Sequence, residues 1–158
     1  MKWRTEQMDT YLNAKEYVDT AIIPLMPVDW NNDPKGKVSM GEFTTLLVDE
    51  LERQFKGRVF QIPPFVYLTS EDDTAKRNRL LAWDKHFFNN GFKYIIYVTS
   101  DGEWKRLEKE LPDMLLWIPS LSLEAMDESY AKQIVDQQMK QILPLIANKW
   151  REEPAERS

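Results

Sequence analysis

The stretch Phe92-Lys93-Tyr94-Ile95-Ile96-Tyr97-Val98-Thr99 decides the fold class of this chain. Its side chains are apolar or aromatic at nearly every position, whereas a strand with one solvated face would alternate between apolar and polar residues. Such a run is typical of a strand that is buried on both faces of a parallel sheet. We therefore predict a central parallel strand whose sheet is covered by helices on both sides.

Three further segments have strand character. Residues 21–26 form a short apolar run, residues 59–68 are rich in Val, Phe, Ile and Tyr, and residues 114–118 are a fourth candidate. Pro63-Pro64 interrupts the second of these segments. Pro24 removes one backbone donor from the first, so we expect this strand either to lie near an edge of the sheet or to face a bulge at that position.

Helical patterns separate the strand candidates. We predict five helices. The first spans residues 3–18, the second begins at a Ser39/Glu42 capping box and stops at Gly57, and the third begins in the acidic segment 70–73 and stops at Asn90-Gly91. The fourth spans residues 101–111 behind an Asp101 cap, and the fifth runs from Ser122 through Ile146 with a kink or a break at Pro144. Strands joined by helical crossovers indicate parallel pairing. The prediction is a single three-layer α/β sandwich, Rossmann-like, with about four mostly parallel strands. Residues 1–150 form its one domain, and the polar residues 151–158 form a flexible tail.

The composition excludes several classes of chemistry. The chain has 158 residues, 21 Lys and Arg against 26 Asp and Glu, a formal net charge of −5, no cysteine and one histidine. These counts exclude disulfide scaffolds, cysteine-based zinc sites, thiol nucleophiles and metal sites that need two histidines. A net negative charge also argues against a general nucleic-acid binder, which needs a basic face.

The apolar segments are too short for a membrane protein. Residues 21–28 and 94–98 fall far below the ~20 apolar residues that span a bilayer, and the first residues are polar rather than typical of a signal peptide. We expect a cytoplasmic protein that does not insert into membranes.

The predicted fold brings four polar segments to one edge of the sheet. Ligands of open parallel sheets bind beyond the carboxyl ends of the strands, and residues 28–31, 69–73, 99–104 and 119–122 follow the four predicted strands. The candidate ligand- or partner-binding residues in them are Asp29, Trp30, Asn31, Ser100, Asp101, Trp104 and Ser120.

Two interpretations of the acidic residues at this edge are open. Asp29, Asp72 and Asp101 together have the oxygen ligands that Mg²⁺ prefers, and Ser100 and Ser120 have hydroxyls that a phosphate could bind.

The alternative interpretation is helix capping, since Ser70, Asp101 and Ser122 each stand where a helix needs an N-cap. We favour capping, because the chain has neither G-x-G-x-x-G nor G-x-x-x-x-G-K-[ST] and only five glycines. No metal site is predicted, and the sequence does not identify a cofactor. His86 lies inside the third helix, away from the predicted edge, and we expect no catalytic role for it.

The tryptophans raise the question of a partner surface. Trp83 lies on an apolar helical stripe and Trp117 lies within a strand, so we expect both in the core. Trp30 and Trp104 follow strands, where they either pack over the edge of the sheet or line a pocket or a partner surface. With no recognisable catalytic set, we favour a non-catalytic interaction or assembly module that binds another protein. The alternative is an enzyme that binds a small molecule or Mg²⁺ and phosphate at the strand ends.

Four segments together resemble a known family. They are Met1-Lys2-Trp3, Pro24-Leu25-Met26-Pro27-Val28-Asp29-Trp30, Gly91-Phe92-Lys93-Tyr94-Ile95-Ile96-Tyr97-Val98-Thr99 and Leu116-Trp117-Ile118-Pro119-Ser120-Leu121. With the chain length, they resemble the YpiF-like family of small uncharacterised proteins of spore-forming Gram-positive bacteria. The resemblance implies a cytoplasmic bacterial protein of unknown function, and it brings no catalytic residues.

Overall fold

A computed structural model describes residues 1–124 and 126–157 of the chain. Its helices and strands, in chain order, are α1 (Thr5–Leu12), β1 (Thr20–Val28), α2 (Pro34–Gln54), β2 (Val59–Gln61), β3 (Phe65–Leu68), α3 (Asp73–Asn89), β4 (Tyr94–Thr99), a 3₁₀ helix (Gly102–Glu110), β5 (Met114–Trp117) and α4 (Glu128–Arg151). A short 3₁₀ turn (Lys15–Tyr17) follows α1, so the helix predicted over residues 3–18 is two shorter pieces.

All paired strands of the sheet are parallel. The strand order is β2-β1-β4-β5, and β3 also pairs with β1. Strand β2 pairs with Thr20–Ile22 and β3 pairs with Leu25–Val28, so the two strands lie one after the other along the same side of β1. The predicted second strand is therefore split at Pro63-Pro64, and the predicted α/β class with a mostly parallel sheet is confirmed.

Pro24 lies in a strand inside the sheet, not near an edge. The Ile22 carbonyl accepts from the Ile62 backbone N–H at 2.8 Å, so Ile22 directs its polar backbone groups toward the β2 side. Backbone groups alternate sides along a strand, and Pro24 therefore faces the same side two residues later. At that point β2 has ended and β3 has not begun, because Pro63-Pro64 lies between them. Of our two expectations, the edge position is wrong, and the missing N–H faces the interruption in the neighbouring strand.

Strand β4 has apolar side chains on both of its faces, as its sequence predicts. Ile95 and Tyr97 belong to a buried cluster that includes side chains from α1, α3 and the 3₁₀ helix. Ile96 and Val98 belong to a second buried cluster with α2 and α4. These two clusters confirm three layers with helices on both faces of the sheet.

The start of α2 differs from the prediction. The capping box at Ser39 lies inside the helix, which begins at Pro34 with Asp33 as its N-cap. The Asp33 carboxylate accepts from the Gly36 backbone N–H at 3.1 Å. Proline at the first helical position and an aspartate before it favour a helix start five residues earlier than Ser39. The prediction that Ser39 caps the helix was wrong, because the helix has already begun before Ser39 and needs no N-cap there.

Two other serine caps were also predicted wrongly. The N-cap of α3 is Asp72 rather than Ser70, and its carboxylate accepts from the Ala75 N–H at 3.2 Å. The N-cap of α4 is Asp127 rather than Ser122, and its carboxylate accepts from the Tyr130 N–H at 2.7 Å. In both helices an aspartate nearer the first apolar turn accepts the bond, since a carboxylate oxygen is a stronger acceptor than a serine hydroxyl.

Helix α4 continues through Pro144 as one helix, so of the expected kink or break at this residue, the break is wrong. Ala125, within the predicted last helix, and Ser158, at the end of the predicted tail, lie outside the described residues. The single domain over residues 1–150 and the flexibility of residues 151–158 stay predictions.

Over residues 1–124 and 126–157, no helix is both long and apolar enough to cross a membrane.

Candidate functional site

The connections between strands reverse direction between β1 and β4. From β1 the chain passes through α2, on one face of the sheet, to β2 and β3. From β4 it passes through the 3₁₀ helix, on the other face, to β5. The two connections diverge, so a crevice is expected at the carboxyl ends of β1 and β4. The residues after these strands include six of the seven predicted site residues.

Ser100 and Asp101, which follow β4 directly, are buried and hydrogen-bonded to the protein itself. Asp101 accepts from the Tyr67 hydroxyl at 2.6 Å and from the Glu103 backbone N–H at 3.0 Å, and it is the N-cap of the 3₁₀ helix. The Ser100 hydroxyl accepts from the Thr44 hydroxyl at 3.3 Å. Burial, with the Asp101 carboxylate as the next contribution, raises the pKa of Tyr67 far above its ordinary value. Tyr67 therefore stays protonated and donates to Asp101.

Trp104 lies in the core. Its side chain is 0% exposed and packs edge-on against Tyr67 and Phe65, with ring centroids 5.4 and 6.2 Å away. The buried Lys76 ammonium lies 4.6 Å from the centroid of the Trp104 ring, within the range of a cation–π interaction. Trp104 therefore offers no surface to a partner in this structure.

The residues after β1 form an outward-facing turn. One oxygen of Asp29 accepts from the backbone N–H groups of Asn31 and Asn32 at 2.7 and 2.8 Å, and the other accepts from the Thr69 hydroxyl. The Thr69 hydrogen bond, followed by that from Asn32, lowers the pKa of Asp29. The ionised carboxylate thus holds an Asx turn. This turn presents Trp30, whose side chain is 85% exposed.

A groove of about 750 Å³ lies beside Trp30, between the carboxyl end of β1, the first turns of α2, and β3. We call it the Trp30 groove, and we define it by six of its apolar lining residues, which are Val28, Trp30, Val38, Leu46, Val66 and Leu123. Val66 is 51% exposed, and Trp30, Val38 and Leu46 are also exposed. The lining also includes two basic residues, Lys35 and Lys37, and two acidic residues, Asp29 and Glu42. The groove is therefore an apolar surface with a mixed-charge rim.

The outer edge of β3, next to the groove, is partly blocked to strand addition. The outward-facing carbonyl of Val66 accepts from the Arg79 guanidinium at 3.2 Å, and that of Leu68 accepts from the Glu71 backbone N–H at 3.0 Å. Occupied carbonyls make a poor template for another strand. Backbone pairing with an added strand is therefore disfavoured at this edge.

The predicted site residues separate into three groups. Asp29 and Trp30 line the groove and Asn31 adjoins it, whereas Ser100, Asp101 and Trp104 belong to the buried interior. Ser120 is half-buried in the segment between β5 and α4 and does not belong to the described lining of the groove. The structure thus brings together three of the seven residues.

The three carboxylates considered for Mg²⁺ have structural partners. Asp29 holds the turn after β1, Asp72 caps α3, and Asp101 caps the 3₁₀ helix. In the part of the chain that is described, no three His, Cys, Asp or Glu side chains are close enough together to share a metal ion. The geometry therefore gives the magnesium interpretation no support. His86 is exposed on α3, where its ring lies 5.5 Å from that of Phe87.

Sequence reasoning missed the residues that give the groove its apolar character, especially Val38 and Val66. Val66 belongs to β3, whose side chains alternate between buried and exposed. In the sequence Phe65-Val66-Tyr67-Leu68, aromatic and aliphatic residues alternate, but all four are apolar. The usual alternation of apolar and polar residues, which marks an exposed face, is therefore missing. The position of β3 at the edge of the sheet, which leaves Val66 exposed, is a tertiary property.

The fold and the Trp30 groove define a small parallel α/β protein with an apolar surface at the carboxyl end of β1, beside β3. The chain belongs to the family described as "Protein of unknown function (DUF2487)", whose model matches residues 9–150. It is 37% identical over 150 residues to the "Uncharacterized protein YpiF" of Bacillus subtilis (strain 168), and the match covers 95% of this chain and 98% of that protein. The family predicted from the sequence is thereby confirmed. No solved structure was found to match the chain.

Proposed function

We propose that this protein is a non-catalytic interaction module that binds another protein through the Trp30 groove. The observation that carries the proposal is Trp30 itself, which is 85% exposed above an apolar groove. Tryptophan is enriched among the residues that dominate binding energy at protein interfaces. Holding such a side chain in water, on a turn fixed by three hydrogen bonds to Asp29, is consistent with a surface that a partner covers.

The partner that fits this surface is a protein segment with a cluster of apolar side chains. The rim carries two lysines and two carboxylates, so it favours no strongly charged ligand. The blocked edge of β3 favours side-chain contacts over an added strand. We propose a helix or a loop whose apolar residues enter the groove beside Trp30. We further propose a Rossmann-like assembly module located in the cytoplasm, consistent with its topology and its lack of cysteine.

Photo-crosslinking tests the proposal directly. A benzophenone amino acid in place of Trp30 is expected to crosslink one partner protein in living cells. The same amino acid in place of Trp3, which is 64% exposed on another surface, serves as the matched control and is expected not to capture that partner. Equal capture from both positions, or no capture at position 30, would contradict the proposal.

A small-molecule enzyme remains the second candidate, because the volume of the groove falls within the ~300–1,000 Å³ typical of ligand pockets. A ligand that binds the folded state raises the melting temperature. For an interaction module, we expect nucleotides, sugar phosphates and Mg²⁺ to leave the melting temperature unchanged in a thermal-shift assay. A concentration-dependent rise with any of them would favour the enzyme instead.

A further inference from the structure

A second cluster of interest lies at the other end of the sheet, away from the Trp30 groove. Asp113 precedes β5, whereas Trp30 follows β1, and the two strands run in the same direction. The side chains of Asp113 and of Asp84, on α3, are 0% and 2% exposed. Both carboxylates contact Arg157, whose Nε lies 2.7 Å from Asp84 and whose Nη2 lies 3.0 Å from Asp113.

The surroundings of Arg157 match the shape of a guanidinium group. Two nitrogens of its planar fork donate to two different carboxylates, while its Cζ atom lies over the Phe88 ring, 4.5 Å from the ring centroid. A guanidinium can make such in-plane hydrogen bonds and stack on an aromatic ring at the same time, whereas an ammonium group has neither the fork nor the flat face.

The two carboxylates are positioned by the body of the domain and not by the tail. Asp84 also accepts from the hydroxyl of Tyr97 on β4. Asp113 also accepts from the backbone N–H of Ile95 at 3.0 Å and pairs with Lys149 at 2.8 Å. These partners come from β4 and α4, so the acceptors for a guanidinium stay in place when Arg157 is removed.

Arg157 reaches this position from a segment with no regular secondary structure. Residues 152–157 follow α4 as neither helix nor strand, and Glu152, Glu153 and Glu156 are exposed. None of these residues is buried as a whole, so the Arg157 side chain is the main tie that must be released when the segment opens locally. We propose that Asp84, Asp113 and Phe88 form a guanidinium-binding pocket, which Arg157 fills in this structure and which accepts a free alkylguanidinium in its place.

Chemical rescue of the Arg157→Ala variant of the full chain tests this pocket. The variant removes the described cation of the buried Asp84 and leaves Asp113 with Lys149 alone, and we expect its melting temperature to fall by about 6 °C or more. Millimolar ethylguanidinium is expected to restore at least half of that loss, because it supplies the missing group. Ethylammonium at the same concentration is expected to restore little, and wild-type protein is expected to respond to neither.

Arg151→Ala is the matched control, since Arg151 is exposed and its one described side-chain hydrogen bond is to Asn148. We expect it to melt as the wild type does and to show no response to ethylguanidinium. An unchanged melting temperature of Arg157→Ala would overturn the proposal. Rescue by ethylammonium as strong as that by ethylguanidinium, or no rescue at all, would overturn it too.

Discussion

Replacing Trp104 with alanine is expected to lower the free energy of unfolding by about 3–5 kcal/mol. The side chain is 0% exposed and contacts Tyr67 and Phe65 edge-on, so its removal leaves a cavity that the sheet and the 3₁₀ helix can fill only partly. The variant also removes the ring on which the buried Lys76 ammonium lies. Equilibrium unfolding in urea, with the wild-type slope retained, measures this loss.

Trp30→Ala is the control for that experiment. Because Trp30 is exposed, its removal is expected to change the free energy of unfolding by less than about 0.5 kcal/mol. The pair of variants therefore separates a packing tryptophan from a surface tryptophan. A loss below about 1 kcal/mol in Trp104→Ala would contradict the assignment of Trp104 to the core.

Replacing Asp101 with alanine is expected to cost about 2–4 kcal/mol of stability. The loss combines an N-cap, which contributes about 1 kcal/mol, with the desolvation of a buried hydroxyl left without an acceptor, at about 1–3 kcal/mol. The hydroxyl is that of Tyr67, which donates to Asp101 at 2.6 Å. Chemical denaturation measures the total.

A double-variant cycle identifies the source of that cost. In Tyr67→Phe protein the hydroxyl is already absent, so Asp101→Ala is expected to cost only the N-cap contribution, about 1 kcal/mol. If Asp101→Ala leaves the free energy of unfolding unchanged, relative either to wild-type protein or to the Tyr67→Phe protein, then the carboxylate is not a structural group. A role for it in ligand binding would then regain support.

The sheet was predictable because its strands depend on local composition. The run from Phe92 to Thr99 is apolar on both sides, and the structure places its alternate residues in two separate buried clusters. Pro63-Pro64 likewise predicted the interruption between β2 and β3. Helix starts were harder to predict, because several residues near each start can accept the same N–H bonds. In α2, α3 and α4 the N-cap is an aspartate and not the predicted serine.

The candidate site was predictable only in its position along the chain. Trp30 and Trp104 each stand within three residues of an aspartate that follows a strand, so the sequence pattern predicts the same environment for both. In the structure the 3₁₀ helix turns Trp104 toward α3 and the core, whereas the Asp29 turn holds Trp30 out over the end of β1. The difference depends on which elements cover each strand end, and that follows from the order of strands in the sheet.

The affinity of the crosslinked partner for purified variants tests the central claim most directly. If the Trp30 groove is the docking surface, Trp30→Ala is expected to raise the dissociation constant about thirtyfold, which corresponds to a loss of about 2 kcal/mol of binding free energy. Trp3→Ala is expected to leave it within about twofold of the wild type. A Trp30→Ala variant that binds the partner with wild-type affinity would contradict the claim that this protein acts through the Trp30 groove.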